Sequence, residues 1–148
     1  GGEESGGITI RGRVPDGDGI LMGLLLVEIL ARHRQPLHEI IAALMQEFGE
    51  FHYARNDVQT QAFDKRELTR RLMEEVPKRI LHYKVVRVNN SDGIKYLLDD
   101  DSWLLIRPSG TEPVLRIYAE ARTPQDVRQL LAEGASLAHV QESMQDGH

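Results

Sequence analysis

Between Tyr83 and Ala121 four short strand-like runs are cut apart by turn-forming residues, and this pattern constrains the fold more than any other part of the sequence. The runs are Tyr83 to Asn89, Ile94 to Asp99, Trp103 to Arg107 and Val114 to Ala121. They are rich in β-branched and aromatic residues or alternate between apolar and polar. "NNSDG" (Asn89 to Gly93) is strong hairpin-turn chemistry, and "DDDS" turns the chain once more before Trp103. "RPSGTEP" (Arg107 to Pro113) reverses it a third time.

Helices flank this set. Asp64 and Glu67 form a capping-box-like pair ahead of Leu68, Leu72 and Met73, and Pro77 stops that helix. Thr123, Pro124 and Asp126 begin a last helix, with Val127, Leu130, Leu131 and Leu137 on its inner face. "FHYARNDVQ" reads as a strand before the first of the two. The order over residues 50–148 is therefore β-α-β4-α. An α+β unit with an antiparallel sheet and helices on one face satisfies it.

Residues 1–49 read differently. "ITIRGRV" (Ile8 to Val14) alternates and is expected as a strand. "PDGDG" turns the chain, and Asp18 is placed to N-cap a helix from Gly19 to Arg34. That helix is apolar nearly all round, so burial between layers is expected. Pro36 starts a second helix whose Leu37, Ile40, Ile41, Leu44, Met45 and Phe48 form one stripe, and Gly49 ends it. Strand, helix, helix is too little to close a layer alone. "GGEESGG" at the start reads as a loop whose preceding element is absent.

Composition limits the chemistry. Net charge is −5, which gives no overall attraction to nucleic acid or anionic membrane. Any phosphate must therefore be held by a local site. Cysteine is absent, so disulfides, iron–sulfur ligation and thiol nucleophiles are excluded. A reducing cytoplasm fits. The most apolar run, Ile20 to Ala31, is short of the roughly 20 residues that span a bilayer.

Within "RPSGTEP", successive backbone N–H groups in a Gly-containing turn can form an anion-binding concavity. Ser109 and Thr111 add hydroxyl donors beside Gly110, and Arg107 adds a planar fork that matches phosphate oxygens in pairs. A plain hairpin loop explains the same residues. Arg116 lies on the strand leaving the loop, sharing a face with Val114, Tyr118 and Glu120. It is either a second cation near the loop or a partner of Glu120. Glu3 and Ser5 offer acceptors on a glycine-rich backbone that a sugar can approach, or belong to a flexible segment. Asp16 and Asp18 are too few oxygens for a hard cation. The six histidines show no helical ligand spacing.

"GEESGG" (Gly2 to Gly7), "DGILMGLLLVEILA" (Asp18 to Ala31) and "RPSGTEP" together resemble the α-D-phosphohexomutases, the phosphoglucomutase/phosphomannomutase superfamily. The resemblance covers essentially the whole chain in collinear order. It implies the end of the third family domain over 1–49, a remnant of an α/β domain, and the fourth domain over 50–148. That fourth domain has a TATA-box-binding-protein-like fold. It implies an isomerase, an intramolecular phosphotransferase of carbohydrate metabolism that moves phosphate between C1 and C6 of a hexose.

By the same resemblance Glu3 and Ser5 contact sugar hydroxyls. Arg107, Ser109, Gly110 and Thr111 bind the phosphate that is not transferred, with Arg116 beside them. The phosphoserine and the aspartate-rich magnesium loop belong to domains outside this chain, so no catalytic or metal-ligating residue is expected in it. The remaining domains and a glucose or mannose phosphate are the expected partners. Self-association through the helix from Gly19 to Arg34 is expected too. Gly7 stands where some members have His, which leaves the sugar open; "EES" looks more like the glucose- or mannose-phosphate branches, and phosphoglucosamine mutase is the alternative. A non-enzymatic binding module of the same fold is the other.

Overall fold

Glycine and polar turns cut residues 50–148 into elements short enough to stack as hairpins. In the computed structural model, which describes residues 1–2, 7–12, 18–60 and 63–138, they do so. The order is β1 (His52–Gln59), α3 (Lys65–Glu74), β2 (Arg79–Ile80), β3 (Tyr83–Asn89), β4 (Ile94–Leu98), β5 (Trp103–Pro108), β6 (Val114–Ala121) and α4 (Pro124–Leu137), preceded by α1 (Gly19–His33) and α2 (Leu37–Phe48). The strands form one antiparallel sheet in the order β1-β6-β5-β4-β3-β2.

Local chemistry sets each boundary. Asn89 Oδ1 accepts from the Ser91 N–H at 2.9 Å, and Gly93 takes φ +84°, closing the β3–β4 turn. Asp101 sits at φ +71° in the next turn, where Asp100 accepts from the backbone N–H and the hydroxyl of Ser102. Asp64 accepts from the N–H groups of Arg66 and Glu67 at the start of α3. Glu67 instead binds Arg70, so a simple N-cap stands where a reciprocal box was expected. Thr123 caps α4 with Pro124 in its first turn.

Burial follows the period of two. Ile94, Tyr96, Leu98, Leu104, Ile106, Leu115, Ile117 and Ala119 are buried together with Leu68 and Leu72 of α3 and Val127 and Leu130 of α4. The Tyr96 hydroxyl donates to the Leu72 carbonyl at 3.1 Å, tying β4 to α3. Both helices thus cover one face. The two-residue β2 was not foreseen; it lies just beyond Pro77, too short to show a period.

The chain divides into two units, Gly1–Gly49 and Glu50–His148. In the first, Asp18 caps α1 through the Leu21 N–H at 2.9 Å. Pro36 is the residue before α2, and Gly49 follows it at φ +93°. The expected strand from Ile8 is not formed over its described residues. Ile8 makes one isolated bridge to Gly2, and the chain turns at Arg11 and Gly12, with Gly12 at φ +86°. A single bridge gives no ladder to hold an extended run. The expected burial of α1 also fails: none of its residues is buried. Among the described residues of this unit, two helices and one bridge supply no second layer for its apolar surface.

Candidate phosphate-binding site

The β5–β6 loop is built from both sides. The Ser109 N–H donates to the Val114 carbonyl at 2.8 Å, leaving Gly110 to Pro113 as the loop proper. Pro113 is pinned from β1, because its carbonyl accepts from the Thr60 N–H and hydroxyl, each at 2.9 Å. Lys65 Nζ donates to the Gly110 carbonyl at 3.1 Å. The loop is therefore held at three points before any ligand arrives.

This pattern sorts the expected donors. Ser109 is buried at 3% exposure, and its Oγ accepts from the Glu112 N–H at 3.4 Å. Its own N–H is spent on the ladder. Gly110 and Thr111 are exposed, and among the described residues neither N–H has a partner. The loop donors left without a partner among the described residues are thus these two N–H groups, and Ser109 shapes the loop from below.

Arg107 and Arg116 stand directly opposite one another across β5 and β6, and Asp57 stands opposite Arg116 across β1 and β6. Residues opposite in register share a face, so the three form one row. Two like charges directly opposite are destabilising unless something of opposite sign compensates. Compensation is partial. Asp92 of the β3–β4 turn lies 3.1 Å from Arg107 Nε, but it is 71% exposed. Glu112 is 3.8 Å from Arg116 Nη2. Asp57 is engaged by Arg55. That bond holds the Asp57 carboxyl below its ordinary value, and Arg116 adds to the effect.

Arg116 Nε is buried without a hydrogen-bond partner among the described residues. An unsatisfied buried donor is costly, and a ligand oxygen is the kind of group that would satisfy it. The Tyr118 hydroxyl, next along the same face, is unpartnered as well. The Arg116–Glu120 pair considered from sequence is not formed. Arg116 pairs toward Glu112, and Glu120 accepts from Trp103 Nε1 at 2.9 Å, because Trp103 and Glu120 are opposite in register.

A cavity of about 510 Å³ opens beside the loop. Arg107, Pro108, Ser109 and Gly110 line it with Asp92 and Gly93, and Lys65, Arg66, Thr69 and Arg70 of α3 face them. Sequence reasoning missed Asp92 and the α3 residues. They lie far from the loop in the chain, and no local motif marks them.

Glu3 and Ser5 lie outside the described residues. At the ends of their segment, Gly2 bridges Ile8, and the Thr9 N–H donates to the Gly1 carbonyl at 2.8 Å. Asp16 is also outside the described residues, and Asp18 serves as a cap. Among the described residues no group of three or more His, Asp or Glu is placed to hold a metal ion. No helix among them is long and apolar enough to cross a membrane.

The family model described as "Phosphoglucomutase/phosphomannomutase, C-terminal domain" matches residues 61–137. That for "alpha/beta/alpha domain III" of the same family matches residues 1–48. The chain belongs to the phosphoglucomutase/phosphomannomutase family. A phosphoglucomutase/phosphomannomutase of Thermococcus kodakarensis is 30% identical over 137 residues, covering 93% of this chain and 28% of the relative. A phosphoglucosamine mutase of Clostridioides difficile is 31% identical over 144 residues, covering 97% of this chain and 28% of the relative. The chain thus spans 28% of the length of each. The crystal structure of a phosphoglucomutase/phosphomannomutase family protein from Burkholderia thailandensis superposes with a TM-score of 0.65 at 23% identity, over 93% of this chain and 28% of that one. The last match supports the α+β fold, and the first two place the chain among relatives named as mutases.

Proposed function

We propose that this chain acts as the part of a phosphohexomutase that recognises the sugar and holds the phosphate that is not being transferred. The reaction is the interconversion of hexose 1-phosphate and hexose 6-phosphate. One observation carries the reading: Arg107 and Arg116 face each other in register at the root of a loop whose Gly110 and Thr111 N–H groups have no partner among the described residues. A phosphate set there would lie between two guanidiniums and accept from the loop. It would relieve their mutual repulsion and satisfy Arg116 Nε.

In this reading Arg107 presents its guanidinium edge to two phosphate oxygens. Arg116 neutralises the inner side, and Thr111 donates its hydroxyl at the rim. Glu3 and Ser5 accept from and donate to the sugar hydroxyls. The hexose thereby keeps one phosphate fixed while the other end reacts. The chain's own residues orient and bind, and none moves a proton at the reacting phosphorus. The phosphoserine and the magnesium that would polarise the transferred phosphoryl group belong, in this reading, to residues outside this chain, in a cytoplasmic enzyme.

A second reading changes only the sugar. The similarity to a phosphoglucosamine mutase over nearly the whole chain favours glucosamine phosphate as the alternative substrate. Substrate profiling of the enzyme that contains this chain separates the two.

The test is titration calorimetry of that enzyme with glucose 6-phosphate. Arg107→Ala is expected to weaken binding by about 1.5–3 kcal/mol, the range for a lost hydrogen bond to a charged group. Unchanged affinity would return the loop to a plain turn. The chain alone is expected to bind the ester weakly and show no mutase turnover, since fewer groups surround the ligand. Turnover by the chain alone would overturn the assignment of the chemistry to residues outside it.

A further inference from the structure

We propose that α3 forms a second wall of the anion site, and that Lys65 and Arg66 on it select a doubly charged phosphate ester over a singly charged ester of the same shape. The proposal rests on the reading of the β5–β6 loop as the phosphate site. It adds residues from a different element and a criterion of selection.

The cavity has two sides. One is the loop and its root, Arg107 to Gly110, with Gly93. The other is Lys65, Arg66, Thr69 and Arg70 of α3. At about 510 Å³ it falls among small-molecule sites, which run from about 300 to 1,000 Å³. Arg116 does not line this cavity, so it is a phosphate at the Gly110 end of the loop, beside Lys65, that has α3 across from it.

The charges on that wall are not equivalent. Arg70 is held on its own helix by Glu67 and Glu74. Thr69 spends its hydroxyl on the Lys65 carbonyl at 2.9 Å. Among the described residues Lys65 and Arg66 have no carboxylate partner. Lys65 rests instead on a neutral acceptor, the Gly110 carbonyl, which leaves its ammonium two further hydrogens. A phosphate oxygen adds the attraction of opposite charges to the hydrogen bond that a neutral carbonyl can offer an ammonium, so beside Gly110 it outcompetes that carbonyl. Lys65 is thus already at the loop and held there by a contact that yields.

Four cations and one carboxylate, Asp92, line this cavity in a chain whose net charge is −5. Such a reversal of sign in a concave site concentrates anions locally. The loop's N–H and hydroxyl groups read the tetrahedral shape of an ester. Unpaired cations read its charge. A phosphate monoester carries about −1.5 to −2 at neutral pH, and a sulfate monoester of the same shape carries one unit.

The test is an NMR titration of the whole chain with glucose 6-phosphate and glucose 6-sulfate. The parent chain is expected to prefer the phosphate, and the Lys65→Gln/Arg66→Gln double variant to lose about fivefold in phosphate affinity, the upper range for an exposed ion pair. Its sulfate affinity should barely change, so the preference disappears. A double variant that weakens both esters equally would mean that Lys65 only props Gly110, and overturns the proposal. A double variant that keeps the preference overturns it too. No shift with either ester at the highest soluble concentration overturns it with the loop reading. Arg107→Ala separates the two ideas. If it weakens both esters while the double variant keeps its preference, the α3 wall falls and the loop reading stands.

Discussion

Gly93 lies against the backbone of Arg107. A Cβ at position 93 would come 2.8 Å from the Ile106 carbonyl oxygen and 2.9 Å from Arg107 Cβ, and Gly93 has φ +84°. The β3–β4 turn is therefore packed onto the root of the β5–β6 loop, and it delivers Asp92 to Arg107 in the same step. Gly93→Ala is expected to cost about 1–3 kcal/mol, from backbone strain at positive φ and the close contact with a neighbouring strand. It should also displace Arg107 and weaken glucose 6-phosphate binding. Urea unfolding and NMR titration check both. An alanine tolerated in both measurements would show that the turn does not set the arginine.

Gly134 plays a similar part under the sheet. A Cβ there would meet Ile117 Cγ2 at 2.6 Å and Leu104 Cδ1 at 3.0 Å, and both side chains are fully buried. Alanine is the better helix former by about 1 kcal/mol. Overpacking a tight core costs about 1–3 kcal/mol, and here the neighbours have nowhere to go. Gly134→Ala should therefore lower the melting temperature despite the propensity gain. A higher melting temperature would mean α4 can lift from β5 and β6 freely.

The sequence made the hairpins legible because their information is local. Asn89, Asp100 and Asp101 act within a few residues of themselves, and the runs between the turns keep a period of two. Pairing between distant segments carries no such mark. Nothing near His52 says that β1 pairs with β6, or near Lys65 that α3 begins beside Gly110. The charges of α3 read as an ordinary solvated helix surface until the topology brings them to the loop. Ile8 to Val14 misled for the converse reason. Its alternation was real, but a strand needs a partner along its length, and the described residues supply one bridge. Arg107 and Arg116 were both visible as candidates. Their register, which sets the two arginines directly opposite one another, was not.

The apolar face of α1 leads to a prediction about association. Ile20, Leu24 and Val27 are 81%, 64% and 62% exposed, and their spacing puts them on one side of the helix. Each contributes about 1.5–3 kcal/mol when fully buried, enough together to offset part of the cost of association, about 4–15 kcal/mol. A second copy of the chain is the expected cover at raised concentration. Light scattering should show mass increasing with concentration, and Leu24→Glu with Val27→Glu should suppress the increase. A monomer throughout the range would refute it.

Tyr96 predicts how the unit responds to alkali. Its ring is fully buried and its hydroxyl donates to the Leu72 carbonyl at 3.1 Å. Burial pushes its pKa from 10.0 to about 12, because the phenolate would have to form away from water. The raised pKa means the folded state favours the protonated form. The stability this provides is whole below pH 10 and is lost as pH rises toward 12. A shift of that size corresponds to about 2–3 kcal/mol across the window. Tyr83 is raised to about 12 as well, by burial first and then by the Asp126 carboxylate, so it adds to the same loss. Tyr96→Phe should lower stability at neutral pH by about 1 kcal/mol, for the lost hydrogen bond. Its stability should then fall less steeply than the parent's above pH 10, the remaining slope coming from Tyr83. Urea unfolding at a series of alkaline pH values reads both effects. Parallel curves for parent and variant would show that Tyr96 does not govern the alkaline loss.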